Sequence, residues 1–159
     1  MESTDIQDKL TFLTFRLDTE KFAVSIEKAS SIIEMLPITK VPRSPDYMKG
    51  IINVRGNVLP VIDTRMKFGM GTVENTKNTV IITFNIDIEG EKADVGAIVD
   101  EPGTIIETEE HNILPAPSIG AKYKSELIKG AIKIDKEFIM VLDVDKVFTL
   151  DELLEITEN

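Results

Sequence analysis

Apolar residues in this chain fall into short runs, often alternating with polar ones and separated by turn-forming pairs. Leu13-Thr14-Phe15-Arg16-Leu17 is followed by the polar stretch Asp18-Thr19-Glu20-Lys21 and then by Phe22-Ala23-Val24. Thr79-Val80-Ile81-Ile82-Thr83-Phe84 and Ala131 to Ile134 have the same character. Val, Ile, Phe and Thr suit a pleated, half-buried surface, so these runs read as strands. Strands at this spacing predict an all-β meander or barrel rather than a βαβ protein. The chain end differs. Thr149-Leu150-Asp151-Glu152 is a capping box ahead of Leu153-Leu154 and predicts a C-terminal helix over 149–157. Residues 1–9 read as a flexible N-terminus.

The pattern repeats. Shifted by 80 residues, Met48 to Phe68 lies over Ile128 to Phe148 without a gap. Lys49, Gly50, Ile52, Val61, Asp63 and Phe68 then meet Lys129, Gly130, Ile132, Val141, Asp143 and Phe148. Six identities in 21 positions exceed the one or two expected by chance at about 6% per position. At a shift of 69, Thr14-Phe15 and Asp18 also meet Thr83-Phe84 and Asp87. The chain therefore reads as a duplication, each copy a few strands followed by a short helix. A copy of about 70 residues is near the lower limit for its own core, which favours closure into a small barrel. Two tandem barrel subdomains are expected over approximately 10–75 and 76–148, packed on each other within one domain.

Composition narrows the function. The chain is 42% hydrophobic and 29% charged, ordinary for a globular protein, and no run reaches membrane-helix length. Its start lacks the basic head and apolar stretch of a secretion signal, so a cytoplasmic location is expected. Without cysteine it has no disulfide, thiolate metal site or cysteine nucleophile. Twenty-eight acidic residues against eighteen basic ones give a net charge of −10, which repels phosphate backbones and anionic lipid heads. Neither nucleic acid binding nor membrane insertion is expected.

Candidate chemistry is sparse. The lone His111, in Glu109-Glu110-His111-Asn112, has no second histidine or cysteine to build a zinc site and reads as solvated. Glu107, Glu109 and Glu110 read as a solvated acidic run. Asp143 and Asp145 form the best carboxylate pair. However, Asp143 duplicates Asp63, and an aspartate ahead of a short apolar helix acts as its N-cap in both copies. Gly69 is placed to end the first of these helices. Gly69-Met70-Gly71 lacks the lysine and hydroxyl of a phosphate loop, and Tyr47 and Tyr123 are isolated. No catalytic residue, metal or cofactor is expected.

The copies differ most at the central hairpin. The first reads Gly50-Ile51-Ile52-Asn53-Val54-Arg55-Gly56-Asn57, where the second carries Asp135-Lys136-Glu137. Gly56-Asn57 suits a tight turn, which would hold Arg55 on a rigid base. Arg55 then has the planar fork of an interface anchor. Spacing alone suits an exposed turn arginine of no special role somewhat better.

Asn53-Val54-Arg55-Gly56, followed by Val58-Leu59-Pro60-Val61-Ile62-Asp63, resembles the N-L-R-G signature of the CheW family of bacterial chemotaxis coupling proteins. Ile38-Thr39-Lys40-Val41-Pro42 with Tyr47-Met48-Lys49-Gly50, and Val95-Gly96-Ala97-Ile98-Val99-Asp100, resemble further family blocks in family order. The likeness covers roughly Leu10 to Phe148. The kinase CheA and the coupling protein CheV carry a similar module, but the chain is expected to have no room for their further domains.

The resemblance implies a single domain over 10–159 of two intertwined five-stranded Src-homology-3-like barrels, and an adaptor bridging the cytoplasmic tips of chemoreceptors to the regulatory domain of the histidine kinase CheA. It implies recruitment to membrane-associated receptor arrays and a monomer when free. On matching positions, Asn53, Arg55 and Gly56, with Met48 at the base of the hairpin, become candidates for the kinase surface. Leu13, Ile26, Ala29 and Ile33 become candidate walls of a receptor groove between the barrels, although each reads almost equally well as core packing. Many family members have valine and glutamate where this chain has Ala29 and Ser31, and leucine where it has Val54. That departure bears on the receptor contact more than on the fold. The alternatives are a paralogous adaptor of a non-chemotaxis two-component system, or a small ligand-binding or enzymatic barrel.

Overall fold

The computed structural model describes residues 9–70, 74–115 and 125–148, so the helix expected over 149–157 lies outside the described residues. The alternating first run becomes β1 (Lys9–Leu17), followed by β2 (Glu20–Ser25), β3 (Ala29–Glu34), β4 (Met48–Val54) and β5 (Asn57–Asp63). A four-residue helix, α1 (Thr64–Lys67), follows. The second half gives β6 (Val80–Ile88), β7 (Glu91–Val99), β8 (Glu101–Glu109), β9 (Ile113–Leu114), β10 (Ile128–Ile134), β11 (Glu137–Leu142) and α2 (Val144–Val147). The architecture is mostly β with short helices, as the alternation predicts.

The strands form a six-stranded sheet ordered β8-β1-β2-β11-β10-β9 and a five-stranded sheet ordered β3-β6-β7-β5-β4. The first exceeds the expected five because the two-residue β9 adds to its edge. Neither sheet is drawn from one stretch of chain. The first hairpin, β1–β2, joins the strands of the second half, and β6–β7 joins those of the first. Two parallel pairings make the exchange: β2 beside β11, with Phe22 opposite Met140, and β7 beside β5, with Gly96 opposite Val61.

The duplication is visible in the ladders. In β4–β5, Met48 faces Ile62 and Gly50 faces Val61 across an irregularity; in β10–β11, Ile128 faces Leu142 and Gly130 faces Val141 across the same one. Both glycines are required by close approach. A Cβ on Gly50 would lie 1.9 Å from the Thr39 carbonyl oxygen, and one on Gly130 would lie 2.6 Å from that of Leu114. Thr39 exchanges backbone hydrogen bonds with Ile51 at 2.9 and 3.0 Å, so neither side can retreat without breaking a bridge.

Alternation sends neighbouring side chains to different cores. Leu13, Phe15, Phe22, Ile82, Phe84, Phe68 and Phe148 belong to the largest cluster, which draws on both sheets. Phe12, Ala23, Ile132, Ile139 and Val141 form a second within the first sheet, and Ile52, Leu59, Val61, Ile81 and Ile98 a third within the other. Phe22 stacks on Phe15 at 6.2 Å and meets Phe68 edge-on at 5.7 Å, tying β1–β2 to the end of α1.

Candidate interaction site

The two aspartates expected as caps behave differently. Asp63 Oδ1 accepts from the backbone N–H groups of Arg65 at 3.0 Å and Met66 at 3.4 Å, a side-chain N-cap of α1. Gly69 ends that helix at φ 72°, as expected. Asp143 makes no side-chain cap, and only its backbone carbonyl accepts from Lys146 and Val147. The duplicated-cap expectation is therefore corrected at Asp143. Asp145 is engaged structurally, accepting from the Asp87 backbone N–H at 3.0 Å and pairing with Lys28 at 3.1 Å.

Asp63 has a second task that its sequence context did not announce. Arg65 is 2% exposed, and each of its five donor N–H groups has an acceptor. Nε and Nη2 grip the two Asp63 carboxylate oxygens at 2.9 Å each. Nη1 reaches Asp100 at 2.7 Å and the Glu74 carbonyl at 3.1 Å, and Nη2 reaches Asn75 at 2.8 Å. The other Asp100 oxygen accepts from the Asp18 backbone N–H in the β1–β2 turn. Burial alone would lower the Arg65 pKa, but the hydrogen bonds and charges of Asp63 and Asp100 outweigh it and hold the group above its ordinary value. The cluster fastens the first sheet to the second.

The β4–β5 hairpin projects away from this hub. Its two-residue turn is Arg55-Gly56, at φ 52° and 88°, one residue earlier than the expected Gly56-Asn57. Asn57 instead pairs with Val54 in the ladder. Two successive positive-φ residues define a type I′ turn, matched to the twist of the strands. Asn53 Oδ1 accepts from the Gly56 N–H at 2.9 Å and braces it. Asn53, Arg55, Gly56, Asn57 and Val58 are all exposed. Met48 is different: it is 5% exposed and packed in the large core, so it supports the hairpin from beneath and does not present itself to a partner.

The four candidate groove residues do not share one wall. Leu13 is 5% exposed and is a core residue. Ile26 and Ala29 pack half-buried against the same large core, whereas Ile33 packs against the core inside the second sheet. An irregularity between Ala29 and Ser31 changes the phase of β3 and separates Ala29 from Ile33. Ile26 also lines a cleft of about 580 Å³ with Leu10, Phe12, Ile113 and Val141. The structure does bring β3 to the hairpin. Ser30, Ser31, Arg55, Asn57, Thr83 and Asp94 line one depression of about 210 Å³. Ser31 Oγ lies 2.6 Å from Thr83 Oγ1. Ser30, Thr83 and Asp94 carried no signal in the sequence, because only the pairing of β3 with β6 and of β5 with β7 gathers them.

Among the described residues no group of histidine, cysteine, aspartate and glutamate could hold a metal ion, and no helix is long and apolar enough to cross a membrane. The pattern described by the family model for the CheW-like domain matches residues 11–152. The chain belongs to the CheW-like domain family. Among CheW-like relatives, a chemotaxis protein CheW from Klebsiella aerogenes is 30% identical over 142 residues, covering 89% of this chain and 83% of its own. A probable chemotaxis protein CheW from Rhizobium etli is 32% identical over 140 residues, covering 88% of both chains. The crystal structure of the scaffolding protein TtCheW from Thermoanaerobacter tengcongensis superposes with a TM-score of 0.79 at 29% identity, covering 90% of this chain and 94% of that one.

Proposed function

We propose that the protein is a non-catalytic adaptor that couples chemoreceptors to the CheA histidine kinase in chemotaxis signalling. The observation that carries this reading is the match of the CheW-like domain over residues 11–152, joined to relatives named as chemotaxis proteins and to a scaffolding protein of the same fold. The braced hairpin of Asn53, Arg55 and Gly56 is the surface offered to the kinase regulatory domain. Ile26 and Ala29, half-buried beside the large core, are the residues offered to the receptor tip. Ile33 sits on the opposite face of β3 and joins them less directly, while Leu13 and Met48 act from within the core. The protein works in the cytoplasm as a monomer when free and is recruited to receptor arrays. Receptor state then biases the kinase through differential affinity, each contact moderate and strengthened by assembly.

Calorimetry with the purified regulatory region of the CheA-type kinase from the same organism tests this. Saturable one-to-one binding is expected, weakened about tenfold or more by Arg55→Glu, with the far-ultraviolet circular dichroism unchanged. Absence of binding by the unaltered protein would refute the adaptor reading. Undiminished binding by Arg55→Glu would remove the hairpin from the kinase surface.

A further inference from the structure

Of the four arginines, Arg16 and Arg65 are held by partners within the fold, whereas Arg43 and Arg55 are both exposed at positive φ, and only Arg55 borders the depression beside β3. Arg16 pairs with Glu101 at 3.2 Å, and Arg65 is saturated by Asp63 and Asp100. Arg55 is exposed and, among the described residues, makes no hydrogen bond or ion pair. Its backbone is nonetheless fixed in the left-handed region at φ 52°, which costs an L-residue about 1 kcal/mol. The guanidinium is thus an unsatisfied five-donor fork on a rigid mount, in a chain of net charge −10.

The depression beside it supplies further donors. Either hydroxyl can donate in the 2.6 Å Ser31–Thr83 contact, and Thr83 also reaches the Ser31 carbonyl at 3.4 Å, so the exposed Ser31 hydroxyl turns its hydrogen to an incoming acceptor only when Thr83 donates to it; Ser30 adds a second exposed hydroxyl. The one acid on the rim, Asp94, accepts from Asn85 Nδ2 at 2.9 Å. A guanidinium and two hydroxyls facing one small polar hollow form a donor set for an anionic oxygen pair.

We infer that this depression is a carboxylate-recognition subsite: an aspartate or glutamate of the kinase surface enters between the Arg55 guanidinium and the hydroxyls of Ser30 and Ser31. The inference rests on the proposed reading that the hairpin faces the kinase, and it adds what is recognised there. Asp94 opposes the incoming charge and moderates the affinity.

Two substitutions that leave Arg55 in place test it, each titrated with the kinase regulatory region at low and high salt. Ser31→Glu supplies an internal carboxylate to Arg55 and should weaken binding about tenfold at low salt, with a smaller difference at high salt. Asp94→Asn removes the like charge and should tighten binding about threefold, again mainly at low salt. Thermal melts establish that each variant folds. If Ser31→Glu melts early, Asp94→Asn alone decides, and unchanged or weaker binding overturns the inference. If both variants bind like the unaltered protein while Arg55→Glu is impaired, the hairpin faces the kinase but no carboxylate enters the depression. If the unaltered protein does not bind the kinase, the proposed function fails and the subsite with it.

Discussion

Replacing Arg65 with methionine should be among the most damaging single substitutions in this chain. Methionine keeps much of the side-chain volume but removes five hydrogen bonds and the one cation between Asp63, which is 1% exposed, and Asp100. The backbone N–H groups of residues 65 and 66 would still cap onto Asp63, so its carboxylate keeps two donors and loses two. Breaking a buried pair from one side costs about 3–5 kcal/mol, because the remaining charge is left uncompensated. Against a typical total of about 5–15 kcal/mol, that would leave a marginal protein. Asp100→Asn is the milder companion. It retains an acceptor for Arg65 and disturbs mainly the Asp18 contact, so about 1–2 kcal/mol is expected.

Urea denaturation followed by circular dichroism and by near-ultraviolet signals measures both, with equal slopes as the check on two-state behaviour. A loss under about 1 kcal/mol for Arg65→Met, or a larger loss for Asp100→Asn, would refute the view that the cluster clamps the sheets. Because the folded-state pKa of Arg65 is raised, its contribution is fully present below the unfolded value. It is lost only as pH rises through the raised folded one, so Arg65 should add no pH dependence near neutrality.

The duplicated glycines and aspartates give two further ordered predictions. Gly50→Ala and Gly130→Ala should each cost at least about 2 kcal/mol, with Gly50 the worse because its Cβ would lie 1.9 Å from a carbonyl oxygen against 2.6 Å; midpoints in urea measure this, and tolerance of Gly50→Ala would contradict the close crossing of Thr39. Asp63→Ala should cost about 3–5 kcal/mol by removing a cap and one of the two carboxylates paired with buried Arg65, whereas Asp143→Ala should cost under about 1 kcal/mol. Equal losses at the two positions would mean that Asp143 caps α2 in solution after all.

What could be seen in the sequence was local. Alternation in Leu13 to Leu17 and in Val80 to Phe84 is a property of neighbouring residues, and the strands stand where it put them. The shift of 80 residues between the copies appears again as identical ladder registers, because each copy repeats one hairpin with one glycine at one crossing. Pairing between distant strands leaves no such trace. Nothing in Phe22-Ala23-Val24 says that it will run parallel to Met140 and Val141. The role of Arg65 leaves no local signal, because Asp63 announces a cap while Asp100 lies 35 residues away and meets it only through folding. The groove residues misled for a related reason. Leu13, Ile26, Ala29 and Ile33 share apolar character, but the irregularity in β3 sends Ile33 to a different core from Ala29. The turn sits at Arg55-Gly56, one position before Gly56-Asn57, because Asn57 also accepts positive φ, though less readily than glycine, and the sequence leaves both placements open.

The exchange of hairpins between the sheets bears directly on how such a protein can couple two partners. Residues 26–28 carry the chain from β2 in one sheet to β3 in the other, so a surface at Ile26 and Ala29 straddles the junction. The hairpin with Arg55 belongs wholly to the second sheet. Were the sheets separate bodies on a linker, a ligand at the junction could not bias the hairpin, because nothing would distinguish the two states at a distance. Here the large core draws side chains from both sheets, the Arg65 cluster fastens the β1–β2 turn to α1, and the Lys67 ammonium donates to the Val147 carbonyl across the two copies. Sliding one sheet against the other would break buried charge pairs and core contacts together. An adaptor fastened in this way would transmit position rather than a conformational change of its own. It follows that loosening the Arg65 cluster with Asp100→Asn should weaken coupling between receptor and kinase more than it weakens either binding step alone.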